Sequence, residues 1–98
     1  MQNSVYDNVE QQRYELKVEG GVVFADYRRS GNEVSVIHTE TPVQLQGQGL
    51  ASKLVKGIIT DARERGLLIV PRCSFVVDYF ARHPEDQDVL PPRAAGHQ

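Results

Sequence analysis

The stretch Gln44-Leu45-Gln46-Gly47-Gln48-Gly49-Leu50-Ala51 sets two glycines two positions apart, after a strand-like run and at the mouth of a strongly helical segment. Glycine has no Cβ, so such a backbone can turn tightly and bring bare N–H groups against an anion. The helix that follows adds unpaired first-turn donors and the positive end of its dipole. Phosphate or pyrophosphate binding is the chemistry this pattern suits, and Gln46 and Gln48 would serve it through backbone N–H groups. Lys53, one turn in, either reaches a phosphate or is a solvated lysine. Cys73 lies between an apolar run and the start of a second helix, where a thiolate is stabilised; otherwise it is a small buried hydrophobe. His38 and Glu40 share one face of a strand unless a bulge intervenes. Imidazole titrates near neutral pH, so this pair is either a proton acceptor or an ordinary couple at a sheet edge.

Composition narrows the partners. A net charge of -2 and a pI near 5.9, with eleven scattered Lys and Arg, exclude the basic stripe of a general nucleic-acid binder. No run approaches the ~20 apolar residues of a membrane span. Met1-Gln2-Asn3-Ser4 lacks the apolar region of a signal peptide, so a cytoplasmic protein is expected. The single cysteine leaves no internal disulfide and no second thiolate for zinc. His38, His83 and His97 have no ligand-like spacing with carboxylates, and no metal is expected.

The elements that must position these residues follow from periodicity. Arg13 to Glu19 alternates polar and apolar, which predicts a half-buried strand with Tyr14, Leu16 and Val18 inward. Gly20-Gly21 predicts a tight hairpin into a strand from Val22 to Arg29. Ser30-Gly31-Asn32 turns into a third strand, Glu33 to Glu40, whose alternation slips at Val36-Ile37 and predicts a bulge or burial on both faces. From Gln48 to Arg65 the apolar residues Leu50, Ala51, Leu54, Val55, Ile58, Ile59 and Ala62 recur on one helical face, and Gly66 ends the helix. Leu67 to Pro71 reads as an interior strand. Phe75, Val76, Tyr79 and Phe80 mark a shorter helix with Ser74 as its N-cap, closed by His83-Pro84.

The expected class is α+β, with helices packed on a mixed, mostly antiparallel sheet. Its order is a three-strand meander, glycine loop, helix, strand, helix, and the last strand lies parallel to the one before the loop. Ligand space is expected where the strands ending at Glu40 and Pro71 splay apart. One domain spans 1–98, with an ordered core over about 13–84, a polar lead-in over 1–12 and a mobile tail over 85–98.

Gln44-x-x-Gly47-x-Gly49-x-Ala51 resembles the Gln/Arg-x-x-Gly-x-Gly/Ala signature of the GNAT superfamily of acyl-CoA-dependent N-acetyltransferases. With His38-Thr39-Glu40-x-Pro42, Pro71-x-Cys73-Ser74-Phe75-Val76 and Arg82-His83-Pro84, the chain resembles the small stand-alone GNAT-like subfamily over roughly 13–88. The resemblance implies a minimal acetyl-CoA-binding core in which residues 44–51 hold the pyrophosphate of acetyl-CoA. It departs from larger members, which place helices between their first two strands and use them to wall the acceptor site. Gly20-Gly21 leaves no room for those helices, which favours an acceptor that brings its own surface, such as a protein amine.

On that resemblance, the expected activity is acyl transfer from the CoA thioester to a primary amine. Direct attack by the amine comes first, with His38 and Glu40 as the proton-accepting pair and backbone N–H groups around residues 38–43 polarising the thioester carbonyl. Cys73 either takes the acetyl group covalently or lines the thiol channel. Tyr79 corresponds either to a tyrosine that protonates the leaving thiolate in larger members or to a core residue. A non-catalytic acyl-CoA binding or sensing module is the alternative, and a structural interaction domain with an incidental glycine loop is a third.

Overall fold

The computed structural model describes residues 4–92. Its sheet has five strands in the order β1 (Val5–Asn8), β2 (Arg13–Val18), β3 (Gly21–Ser30), β4 (Glu33–Glu40) and β5 (Leu68–Pro71). The first four are antiparallel neighbours and β5 joins β4 in parallel. Helix α1 (Leu50–Arg65) makes the crossover between β4 and β5, and α2 (Ser74–Arg82) follows β5. The meander and the parallel crossover are as the hydrophobic periods predict.

One face of the sheet makes the core. Tyr14 and Leu16 on β2, Val23, Ala25 and Tyr27 on β3, and Val34 and Val36 on β4 are buried there. They meet Leu54, Val55, Ile58, Ile59 and Ala62 of α1 and Val76, Tyr79 and Phe80 of α2. Burial at every second strand residue and every third or fourth helix residue is the physical reason these segments hold their conformations. The opposite face carries Arg13, Glu15, Phe24, His38 and Glu40. Arg13 lies 4.4 Å from the Phe24 ring centroid and also holds Glu15 at 2.8 Å.

The slip at Val36-Ile37 is a bulge: Tyr27 opposes Val36 while Asp26 opposes His38, so Ile37 is the extra residue. Downstream of it Thr39 faces the core side, and His38 and Glu40 face away.

Four expectations need correction. Residues 1–12 are not all an unpatterned lead-in, because Val5–Asn8 adds an edge strand. Two residues distant in sequence secure it: the Tyr27 hydroxyl donates to Asp7 at 2.5 Å and Arg65 donates to the same carboxylate at 3.0 Å. The Leu67–Pro71 run is an edge rather than an interior strand. It reads as uniformly apolar because Leu67 and Ile69 enter the core and Leu68 and Val70 are half-buried. The segment after Pro84 begins as a 3₁₀ helix, Pro84–Val89, with Asp86, Val89 and Leu90 buried. Arg63 of α1 clamps it through Asp86 at 2.9 Å and Asp88 at 2.6 Å. The rest of the expected tail, 93–98, and His97 within it, lie outside the described residues. Finally, Cys73, not Ser74, occupies the N-cap of α2.

Candidate functional site

The connection from β4 to α1 is built backbone first. Val43–Leu45 forms one 3₁₀ turn, with Leu45 N–H donating to Pro42 and Gln46 N–H to Val43. The Leu45 side chain is buried beside Gly20 and Gly21 of the β2–β3 hairpin. Gln44 reaches the Gly20 carbonyl at 3.2 Å, and Gln46 reaches the Thr41 carbonyl at 3.2 Å. Three of the eight motif side chains, at Gln44, Leu45 and Gln46, therefore brace the loop.

Gly47 and Gly49 both adopt left-handed backbone, with φ of 82° and 74°. A Cβ at either would meet nothing within 4 Å, so glycine is required there by backbone conformation and not by space. Those two turns delay the start of α1 to Leu50, two residues later than its hydrophobic period predicts. They also leave its N-terminus bare. Gly49 is the N-cap and offers no side-chain hydrogen bond, and the first turn holds no acidic residue. The first intrahelical bond runs from Lys53 N–H to Gly49. Among the described residues, the N–H groups of Gly47 through Ser52 find no hydrogen-bond acceptor. Ordinary proteins cap such groups with Ser, Thr, Asp or Asn.

These donors border a cleft of about 190 Å³, lined by Thr41, Leu45, Gln46, Gly47, Gly49, Leu50, Ala51, Ser52 and Phe75. Gln48, at the loop tip, and Lys53 are not part of its wall. Bare first-turn donors, an open cleft and no competing carboxylate together fit a phosphate-bearing group.

Next to the cleft, β4 and β5 separate. Their pairing ends at Val36 and Pro71, and the Val36 carbonyl accepts from both Arg72 and Cys73 as the chain turns away. Residues 37–40 of β4 run on without a β5 partner. This is the splay expected at the ends of the two strands.

The structure divides the three candidate catalytic residues between the two sides of β4. Cys73 and Thr39 meet on the helix side, Sγ to Oγ1 at 3.6 Å. Burial alone would push the Cys73 thiol up. Hydrogen bonding from Thr39 and the nearby N–H groups of Val76 and Phe75 outweighs it and holds the thiol below its ordinary value. Those amides polarise the sulfur without making a cap bond of full geometry. His38 and Glu40 stand on the other side, Nε2 to Oε1 at 3.0 Å, both more than half exposed. The Phe24 ring lies edge-on to His38 at 6.4 Å.

Tyr79 is a core residue. Its hydroxyl donates to Asp86 at 3.3 Å, its ring stacks on His83 at 4.0 Å, and burial and the Asp86 carboxylate push it up to about 12. His83 is held at the helix end by its Nδ1–H, which donates to the Tyr79 carbonyl at 2.8 Å. Among the described residues no group of three or more His, Cys, Asp or Glu is placed to hold a metal ion. No helix among them is long and apolar enough to cross a membrane.

Thr39, Thr41, Ser52 and Phe75 belong to this site without having been singled out by the sequence. The bulge was the available signal: with Ile37 as the extra residue, Thr39 rather than His38 or Glu40 faces the helices, opposite Cys73.

Comparison with known proteins identifies the family. The family model of the GCN5-related N-acetyl-transferases matches residues 13–89, and the chain belongs to that family. It is also similar to the NMR solution structure of a GCN5-like protein from Staphylococcus aureus, a candidate N-acetyltransferase. The two share 27% sequence identity and a TM-score of 0.67, over 99% of this chain and 100% of the other. Family membership supports acetyltransferase activity in general terms.

Proposed function

We propose that this protein is an acetyl-CoA-dependent N-acetyltransferase that acetylates a primary amine. The observation that carries the reading is the run of unpartnered N–H groups from Gly47 to Ser52 on an open cleft, beside two strands that separate. When bound, acetyl-CoA supplies the acyl group as a thioester. The loop amides hold the diphosphate, and the unpartnered edge of β4 over residues 37–40 offers the pantetheine arm sheet-like hydrogen bonds. Its thiol end then lies in the gap between β4 and β5, with Cys73 and Thr39 on one side and His38 and Glu40 on the other.

That division favours direct transfer. The amine approaches from the open face of the sheet, where His38 accepts its proton and Glu40 holds the imidazole in orientation. The nitrogen bonds to the carbonyl carbon, the carbon–sulfur bond breaks, and CoA leaves as the thiol after regaining a proton. Thr39 and the amides near Cys73 polarise the sulfur side of the gap. A single free cysteine suits a reducing cytoplasm, where acetyl-CoA is also found. The open sheet face, which no helix among the described residues walls, suits an amine carried on a protein surface.

Thiol release from acetyl-CoA in the presence of peptide or polyamine amines tests the reading. We expect turnover that survives Cys73→Ala and falls about a hundredfold or more in His38→Ala, the usual scale for loss of a general base. Saturable acetyl-CoA binding with no thiol release from any amine would favour the binding-module alternative.

A further inference from the structure

Strand register sets a row of side chains across the open face of the sheet. Arg13 on β2 opposes Asp26 on β3, and Asp26 opposes His38 on β4. All three point away from the helices, because their chain neighbours Tyr14, Ala25 and Tyr27 are buried in the core and Thr39 meets Cys73. Directly opposed side chains on antiparallel strands have Cβ atoms about 4.5–5.5 Å apart. Asp26 is therefore the neighbour of His38 on the side away from the gap between β4 and β5.

Nothing within the chain answers the charge of Asp26. Asp7, Glu15, Asp61 and Asp86 are buried or half-buried, and each accepts from an arginine. Asp26 is half-buried too, yet among the described residues no hydrogen bond or ion pair reaches its carboxylate. Arg13, the cation opposite it, is turned elsewhere. Its Nε holds Glu15 at 2.8 Å, and its guanidinium lies 4.4 Å from the Phe24 ring centroid. Asn8 fixes Glu15 from the β1 side, donating to the same oxygen at 3.0 Å. Glu40 is engaged by His38. A part-buried charge without a partner carries a desolvation cost that a bound cation would relieve.

In the proposed reaction the thioester reaches His38 from the gap and the amine comes from the other side. The group next to that amine then passes over Asp26. We infer that Asp26 selects the acceptor, pairing with a second positive charge carried one strand spacing, about 5 Å, from the reacting amine. A diamine, or a protein lysine beside another basic residue, supplies that chemistry. This inference rests on the proposed amine acetylation and names the acceptor class for it.

The test is steady-state thiol release from acetyl-CoA by the full chain and its Asp26→Asn variant, with two pairs of acceptors. One pair is 1,4-diaminobutane and butylamine. The other is a peptide in which arginine follows lysine and a peptide in which glycine does. The pair that shows the preference tells a small-molecule source from a protein one. Wild type should favour the doubly charged member by roughly fivefold in kcat/KM per amine, the scale of one exposed charge pair. The difference should lie in KM, because a contact remote from the reacting carbon holds ground and transition states alike. D26N should bring the ratio to about one, the pairing charge being gone. In wild type the preference should shrink as salt is raised, which reads the same charge without any variant. Unchanged acetyl-CoA affinity by calorimetry shows that D26N is folded. Turnover without preference in either pair, or a D26N protein that keeps the wild-type ratio, overturns the role of Asp26 and leaves acetyl transfer standing. If acetyl-CoA binds and no amine releases thiol, the transferase reading fails and this inference with it.

Discussion

The two ends of α1 are built on opposite principles. At its C-terminus both arginines are spoken for. Arg65 joins Asp7 of β1 to Asp61, which also accepts the Tyr14 hydroxyl at 2.7 Å, and Arg63 joins Asp86 and Asp88. Both arginines favour the negative end of the helix dipole, and Gly66 closes the helix in left-handed backbone with its N–H on the Ala62 carbonyl. At its N-terminus nothing is satisfied: there is no cap side chain, no acidic residue, and a row of free donors on a cleft. A helix shaped for stability alone would start on a serine or aspartate in extended backbone, with a side-chain oxygen on these donors, in place of a left-handed glycine. Leaving that end bare makes sense if an anion from outside completes it. The comparison teaches where to look for function in a small fold: at the terminus that the protein itself declines to cap.

Putting a carboxylate at the bare end should sharpen the contrast most. Ser52→Glu places an acid in the first turn, at the wall of the cleft. It should stabilise the free protein by about 0.3–1 kcal/mol through the helix dipole. It should also weaken acetyl-CoA binding roughly tenfold, because a fixed negative charge then faces the diphosphate. Thermal melts and calorimetry on one preparation read both effects. A variant with higher melting temperature and unchanged affinity would break the account of this end.

Removing the clamp at the other end should do the reverse. Arg63→Ala leaves the buried Asp86 carboxylate short of its partner, at a cost of about 1–2 kcal/mol. The exposed pair with Asp88 adds little to that figure. Acetyl-CoA affinity should stay within twofold, roughly the scatter of a distant surface change. Arg63 holds the Asp88 carboxyl below its ordinary value, so this contribution is present above the ordinary carboxylate pKa. It is lost as pH falls through the lower, folded value. Denaturant melts of the two proteins should therefore draw slightly closer on acidification, by the small share that Asp88 contributes.

The smallest effect concerns Cys73. Its thiolate is favoured by Thr39 and the first amides of α2, so alkylation by iodoacetamide should reach half its maximal rate below the pH of an ordinary thiol. Thr39→Val should move that midpoint upward. Because the folded pKa is the depressed one, the same contacts stabilise the fold only above the unfolded thiol's pKa, and that gain disappears as pH falls through the folded value. A midpoint at or above the free-thiol value would mean that burial outweighs the hydrogen bonds.

How far these regions could be read from the chain follows the same divide. The site end is local: Gly47, Gly49 and the helical run after them lie within a few residues, and positive φ with no capping side chain is visible as glycine where Ser or Asp would ordinarily stand. The bulge was visible too, since Val36 and Ile37 break an otherwise regular alternation. The clamped end is not local. Val5–Asn8 carries too few apolar residues to announce a strand, and it is held by Tyr27 and by Arg65, 58 positions away. Pro84–Val89 looked like a polar tail because Asp86 and Asp88 acquire meaning only when Arg63 arrives, more than 20 positions away. Edge position misled for β5, because strand composition reports burial of side chains and not whether the backbone has a neighbour on both sides. For His38, Glu40 and Cys73, spacing predicted that the first two share a face, but which side of β4 each residue occupies depends on the one extra residue at Ile37.

The central claim is that the free amides at the start of α1 are an anion cradle for an acyl carrier's diphosphate. An amide-resolved NMR titration with acetyl-CoA tests it most directly. Saturable shifts should concentrate at Gly47 through Ser52 and spread to Thr41 and Phe75, while the amides around Arg63 and Arg65 stay still. No saturable shift, or shifts centred on the clamped end of the helix, would contradict it.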